Sequence, residues 1–320
     1  MKDKLVISVV IPCYRSEKTI GRVVEEVKGV FSKQEKFDYQ FVLVNDCSPD
    51  NTMAEIIKLC EQDEKIVGID LSRNYGQSSA KMASMEYIDG DIAVFMDDDG
   101  QHPAEGVITL AEKILEGYDV VYAHFIQKKH SLFKRLTSSF QRKIALWAGN
   151  SPKGIYGSSF LAYSKFIVEQ LRRYKSPFVS IGGYLMRITT KFANVDMPHR
   201  ERLEGTSGYN FRKLMNLWMN TITNFSIVPI RAASFLGIIS AVIGLLFGVF
   251  VVIRKTINPA VAAGYTSTIA VLFFIGGIIM LILGFLGEYI GRIYMTVSGA
   301  PQHTIREVYN RKKRIDDECK

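Results

Sequence analysis

The chain has 320 residues, 48% apolar and 22% charged, with a formal net charge of +8 and a mean hydropathy of +0.08. That balance excludes disorder, a collagen-like repeat and a small disulfide scaffold, and it leaves length for a domain with a real core. Four cysteines, Cys13, Cys47, Cys60 and Cys319, form no CxxC pair and have no histidine at zinc spacing, so a reducing compartment fits and structural zinc is not indicated.

Leu5 to Ile11 is almost continuously β-branched or apolar, the pattern of a strand covered on both faces. It is too short and too strand-like for a signal peptide, which predicts that the N-terminal domain stays in the cytoplasm. Similar runs recur at Phe41 to Val44, Ile66 to Ile69, Ile92 to Met96 and Val120 to Tyr122. Between them lie helix-length stretches, Thr19 to Phe31, Thr52 to Cys60, Gly76 to Tyr87 and Glu105 to Leu115. This alternation predicts an α/β fold with a mainly parallel sheet, whose ligands bind outside the carboxyl ends of the strands. Pro12-Cys13-Tyr14, Asn45 to Asp50, Leu71 to Gly76 and Asp97 to Gln101 fall at those ends.

No GxGxxG follows the first strand and no GxxxxGK[ST] occurs, so neither a dinucleotide cofactor nor a P-loop is supported. Asp97 and Asp99, alternate residues after an apolar strand, point the same way if extended and can hold a divalent ion that bridges a diphosphate. Three aspartates ahead of a glycine also occur as a solvated turn; the buried strand before them and Gln101-His102-Pro103 after them favour the metal reading.

Phe211 to Val228 mixes Leu214, Leu217, Trp218 and Ile222 with basic and amide residues, the pattern of a helix lying in a headgroup plane or of an amphipathic helix on a soluble domain. Ala232 to Ile253 and Ser267 to Gly287 carry no charge and are long enough, at ~1.5 Å per residue, to cross a ~30 Å hydrocarbon core. Arg212, Lys213 and Arg231 before the first run, and Arg292, Arg306 and Arg311-Lys312-Lys313-Arg314 after the second, place both termini on the cytoplasmic side. Glu288, directly after the second run, suits a paired acid near the interface. The basic excess points to membrane surface and phosphate, not to nucleic acid.

The ordered segments "VVIPCYRSE", "VNDCSPDNT", "SRNYGQ" and "FMDDDGQHP", followed by two apolar runs and "LGEYIGRIY", resemble the polyprenyl-phosphate glycosyltransferases of inverting family 2, above all bacterial undecaprenyl-phosphate sugar transferases with two spans. The resemblance covers nearly the whole chain and implies a GT-A nucleotide-sugar domain over residues 1–210. It also implies an interfacial helix over 211–231, two membrane helices over 232–290 and a basic cytoplasmic tail over 291–320.

By the same resemblance, Pro12, Tyr14 and Glu17 belong to the nucleotide loop, Asp46 reads the base, and Arg73 and Asn74 lie beside the donor. An arginine such as Arg73 at a strand end equally suits a plain surface. Asp97, Asp99 and Gln101 form the metal and diphosphate motif for Mg²⁺ or Mn²⁺, with Asp98 in its variable middle position on the nucleotide side. In "PHRERLEGTSGY", Arg202 and Ser207 grip the acceptor phosphate, with Arg200 and Tyr209 nearby; Arg202 joins Asp97 and Asp99 as a catalytic candidate. Lys128, Lys129, Lys134 and Arg135 close over diphosphate or face anionic lipid.

Where relatives carry an aspartate before an aromatic residue, this chain has Ile155 before Tyr156. A lipid monophosphate is already an anionic nucleophile and needs no base. The implied reaction moves a sugar from a UDP-linked donor to polyprenyl phosphate with inversion, at the inner or plasma membrane, in a homo-oligomer such as a tetramer. A processive polysaccharide synthase would show a QxxRW-type motif and more spans; a non-catalytic nucleotide-sugar-binding membrane module would not need the acidic triplet.

Overall fold

A computed structural model describes residues 4–125, 154–198, 228–258 and 264–310. The chain forms two compact units, one from the described residues before 199 together with 301–310, the other from residues 228–300.

The first unit is built on one eight-stranded sheet. Its strands are β1 (Leu5–Cys13), β2 (Phe37–Asn45), β3 (Ile66–Leu71), β4 (Ile92–Phe95), β5 (Val120–Phe125), β6 (Leu161–Ser164), β7 (Phe192–Met197) and β8 (Ile305–Tyr309), in the spatial order β7-β5-β6-β4-β1-β2-β3-β8. The five predicted strands are all present. The expectation of a mainly parallel sheet needs correcting to a mixed one: β1 pairs in parallel with β2 and β4, β2 with β3, and β5 with β7, whereas β6 runs antiparallel to both β4 and β5, and β8 antiparallel to β3. β8 falls within residues 291–320, where composition announces only a basic tail.

Helices cover both faces of the central strands, which explains their unbroken apolar sequence. α1 (Ile20–Phe31) buries Ile20, Val23, Val24, Val27 and Phe31, a stripe at helical spacing that packs with Ile7, Val9 and Ile11 of β1. α2 (Thr52–Gln62), α3 (Gln77–Ser84) and α4 (Gly106–Leu115) follow β2, β3 and β4, and α5 (Lys165–Arg172) and α6 (Ile181–Ile188) lie between β6 and β7. The predicted helix from Gly76 to Tyr87 is α3 continued by a 3₁₀ turn over Met85–Tyr87.

Register aligns the carboxyl ends. Cys13 lies opposite Asn45, and Asn45 opposite Asp70, so β1, β2 and β3 finish level and their loops leave one edge. At the opposite end a buried polar cluster ties the sheet together. Ser8 Oγ donates to Gln40 Oε1 at 2.5 Å and accepts from the Gly90 N–H at 2.9 Å, while Gln40 Nε2 donates to the Tyr87 carbonyl and the Asp89 carboxylate. Gly90 passes so close that a Cβ there would stand 2.7 Å from the Val6 carbonyl oxygen and 2.8 Å from the Ser8 nitrogen.

The second unit is a pair of long helices, α7 (Val228–Ile257, 30 residues) and α8 (Tyr265–Val297, 33 residues). Large apolar side chains such as Leu246, Phe250, Leu283 and Ile290 are exposed along them. Among the described residues one segment, Phe274–Val297, is long and apolar enough to cross a membrane. The expected second run, Ser267 to Gly287, lies wholly within α8, which continues past it. One turn beyond Glu288, Arg292 donates to Glu288 Oε1 at 2.7 and 2.9 Å, so the acid that follows the run is paired.

Candidate active site at the carboxyl edge of the sheet

β1 ends in buried Pro12 and Cys13, and the chain turns outward at Tyr14, which is 44% exposed. The Tyr14 N–H donates to Asp98 Oδ2 at 3.0 Å, linking the β1 loop to the acidic loop after β4. Glu17 is used locally: its Oε2 accepts from the Asn51 N–H at 3.0 Å, at the start of α2. The expected nucleotide loop is thus stitched to two neighbouring strand ends.

Asp46, at the end of β2, is 4% exposed. Its two carboxylate oxygens accept from the Tyr75 N–H at 2.7 Å and the Gly76 N–H at 2.8 Å. Burial is tolerable because each oxygen is matched by a backbone donor. The visible role of Asp46 is to fold the Leu71 to Gly76 loop over the edge of the sheet. Gly76 sits at φ +86°, a backbone region that glycine enters without steric cost. Arg73 and Asn74 are exposed on this loop, and the Arg73 guanidinium carbon lies 4.6 Å from the Tyr75 ring centroid.

After β4 the acidic residues diverge. Asp97 is a quarter exposed and accepts from Gln77 Nε2 on Oδ1 and from Ser159 Oγ on Oδ2, each at 2.6 Å. Asp98 turns to Tyr14; burial, reinforced by the Asp97 charge and opposed by the Tyr14 N–H, pushes its carboxyl up to about 6. Asp99 accepts the Gln101 N–H on Oδ1 at 3.1 Å.

His102 is buried between the rings of Phe160 and Phe125, with centroids 4.7 and 5.7 Å away and planes within 10°. Its Nδ1 accepts the Asp97 N–H at 3.0 Å, so that nitrogen carries no proton, and its Nε2 lies 3.6 Å from Asp97 Oδ2. His102 and Ser159 thus set the direction of Asp97 from two sides.

Among the described residues no group of three or more His, Cys, Asp or Glu side chains could hold a metal ion by itself. Asp97, Asp99 and Gln101 are oxygen donors on one loop, the chemistry that Mg²⁺ and Mn²⁺ accept. They make an open, incomplete set that fits a metal shared with phosphate oxygens rather than a closed structural site.

The structure brings Pro12, Tyr14, Glu17, Asp46, Arg73, Asp97, Asp98, Asp99 and Gln101 to one sheet edge. Lys128, Lys129, Lys134, Arg135, Arg200, Arg202, Ser207 and Tyr209 lie outside the described residues. Gln77, Lys81 and Ser159 were not singled out from the sequence. Ser159 reaches Asp97 from 62 residues away, and Lys81 is 7% exposed in α3, donating to the Ser159 carbonyl at 3.2 Å. The signal for Lys81 is a lone charge in a helical stretch otherwise made of small or apolar residues, Ser79, Ala80, Met82, Ala83 and Ser84, all buried. Burial pulls its pKa down, with Asp97 acting against that. Ile155, which the resemblance sets against an aspartate, belongs to the loop in which the Tyr156 N–H donates to Asn194 Oδ1 at 2.9 Å.

The family described as glycosyl transferase family 2 matches residues 8–187, which span β1 through most of α6 and include this whole edge. Among individual relatives, an undecaprenyl-phosphate 4-deoxy-4-formamido-L-arabinose transferase of Photorhabdus laumondii is 34% identical over 98% of this chain and 97% of its own. An uncharacterized glycosyltransferase of Bacillus subtilis, YkcC, is 31% identical over 94% of each chain. The fold is shared with glucosyl-3-phosphoglycerate synthase from Mycobacterium tuberculosis, solved in complex with Mn²⁺, uridine diphosphate and phosphoglyceric acid, at a TM-score of 0.51 and 21% identity over 68% of this chain and 76% of that one. Strand-end chemistry, sheet order and whole-length similarity converge: the chain belongs to glycosyl transferase family 2.

Proposed function

We propose that this glycosyltransferase moves a sugar from a UDP-linked donor to a polyprenyl phosphate, with inversion at the anomeric carbon. The observation that carries this reading is similarity over 98% of the chain to a transferase that acts on undecaprenyl phosphate, combined with an acidic, oxygen-rich loop at the carboxyl edge of the sheet. A phosphate oxygen of the lipid attacks the anomeric carbon, the bond from that carbon to the β-phosphate oxygen breaks, and UDP leaves with the electron pair. The nucleophile is already anionic, so Ile155 in place of a carboxylate costs nothing.

Asp97, Asp99 and Gln101 would hold Mg²⁺ or Mn²⁺, which when bound offsets charge on the leaving diphosphate. Pro12, Tyr14, Glu17, Asp98 and Arg73 would border the nucleotide. In this reading Asp46 serves the base chiefly through the loop it folds, since its carboxylate already accepts two backbone N–H groups. Arg200, Arg202 and Ser207 would receive the acceptor phosphate, with Lys134 and Arg135 beside it.

Two membrane helices, with the catalytic domain and both termini in the cytoplasm, would meet a lipid acceptor, and exposed apolar helix faces suit a homo-oligomer. The first donor to try is UDP-linked 4-deoxy-4-formamido-L-arabinose, the sugar in the name of the Photorhabdus relative. Purified protein would be incubated with undecaprenyl phosphate, divalent metal and labelled UDP-sugars one at a time, and the lipid phase counted. Label should reach lipid with one donor and vanish in Asp97→Asn and Asp99→Asn. Transfer that survives both substitutions refutes the site; no transfer from any UDP-sugar refutes the donor class.

A further inference from the structure

Lysine is almost never fully buried without a partner, and a methionine of similar length would fill the site of Lys81 without desolvating a charge. The ammonium of Lys81 is nevertheless enclosed, donating to the Ser159 carbonyl at 3.2 Å and standing 5.6 Å from the Phe95 ring centroid. The same Ser159 donates its hydroxyl to Asp97 Oδ2. Gln77, four residues before Lys81 and so on the same face of α3, donates to Asp97 Oδ1. Helix α3 thus presents an amide and a cation toward one carboxylate, with Ser159 bridging the cation to it. The charge on Asp97 acts against the cost of burying this cation without outweighing it, and the two groups are linked through Ser159.

We propose that Lys81 is a positioning residue for Asp97: with Gln77 and Ser159 it holds that carboxylate aimed along the sheet edge, and its charge keeps the acidic loop from binding a divalent cation tightly until a diphosphate arrives. This rests on the reading of Asp97 and Asp99 as the cation-binding pair. The consequence is an order of events in which metal and nucleotide enter together, because the loop's own charge is already partly offset.

The test uses the full chain in mild detergent. Free Mn²⁺ is followed by electron paramagnetic resonance, with and without UDP, for the wild type, Lys81→Met and Lys81→Gln. Without UDP, both variants should bind Mn²⁺ about tenfold more tightly than the wild type, and UDP should narrow the gap. Mn²⁺ affinities within about twofold of the wild type in both variants would overturn the proposal. A second measurement needs no metal: thermal unfolding of Lys81→Met, Asp97→Asn and the double variant. Removing both partners should cost less than the two single losses added together; additive losses overturn the pairing. Should the wild type bind no Mn²⁺ even with UDP, the cation-binding reading falls and the unfolding cycle alone decides the role of Lys81.

Discussion

Replacing Asp46 by Asn tests whether this acid organises the loop from Leu71 to Gly76. The carboxylate is 4% exposed and accepts two backbone N–H groups, at 2.7 and 2.8 Å. Hydrogen bonds to a charged acceptor contribute about 1.5–3 kcal/mol each. The amide keeps one acceptor oxygen but turns its NH₂ toward the other N–H, so one bond is lost and two donors face each other in a buried place. A loss of about 2–4 kcal/mol follows, with the surviving bond weakened because its acceptor is now neutral. At roughly 2–4 °C per kcal/mol for a domain of this size, the unfolding midpoint should fall by about 4–16 °C. The loop from Leu71 to Gly76 would loosen at the same time, so UDP affinity, read by calorimetry at a temperature where the variant is folded, should drop with it. Asp46→Ala, which leaves both N–H groups without their acceptor, should be worse on both counts. A variant with wild-type UDP affinity and a midpoint unmoved by more than about 1 °C would show that the loop holds its shape without Asp46.

Gly90→Ala should be among the more damaging single-methyl additions, by about 2–4 kcal/mol, since the new carbon meets backbone atoms of β1 that cannot move without breaking the sheet; urea unfolding of the two proteins side by side checks it. Ser8→Ala should cost about 1–3 kcal/mol in the same assay by leaving the Gly90 N–H without its acceptor, whereas removal of an exposed hydroxyl elsewhere should cost little. Asp63 sets an acid limb. Burial would raise its pKa, but Lys28 Nζ at 2.8 Å, the Lys65 N–H at 2.9 Å and the Tyr39 hydroxyl at 2.9 Å outweigh it and hold the carboxyl below the ordinary value. A folded-state pKa below the unfolded one contributes stability that is present above the unfolded value, about 3.9, and lost as pH falls through the folded value. Unfolding midpoints measured from pH 6 down to pH 3 should therefore converge for wild type and Asp63→Asn; parallel curves would refute the assignment.

How much was legible in the sequence depends on what buries each segment. β1 to β5 stand out because each has consecutive buried apolar residues, and therefore burial on both faces, leaving runs that no surface element would carry. β6 is buried, but its short Leu-Ala-Tyr-Ser run lacks β-branched residues; β7 mixes buried and exposed positions as Phe-Ala-Asn-Val-Asp-Met, and β8 reads Ile-Arg-Glu-Val-Tyr with no fully buried residue. At the site, motif residues adjacent in sequence were readable, whereas partners brought in by the sheet were not. Asp97 reveals itself beside Asp99, but Ser159, Gln77 and Lys81 become its neighbours only because β6 slots in beside β4 and α3 packs over that end. Motif position also did not disclose direction: three consecutive aspartates look equivalent in a string, yet Asp98 bonds to the β1 loop while Asp97 is held by Ser159 and Gln77.

The loop from Leu71 to Gly76 shows why an unforeseen edge strand bears on chemistry. Asp46 holds it from within through the Tyr75 and Gly76 N–H groups. From the outer side the approach to β8 holds it again: the Ser72 N–H donates to the Thr304 carbonyl at 2.9 Å, and Arg306 Nη2 donates to the Ser72 carbonyl at 3.3 Å. β8 pairs with β3 over Gly68 to Leu71, so the pairing runs directly into the loop and ends where Arg73 and Asn74 emerge. A surface loop with one anchor can sample many shapes; one clamped at both flanks can present the two exposed side chains in few. Pre-organisation of that kind lowers the ordering cost of binding. It follows that residues distant in sequence from every recognised motif, Thr304 and Arg306 among them, fix the shape of this edge.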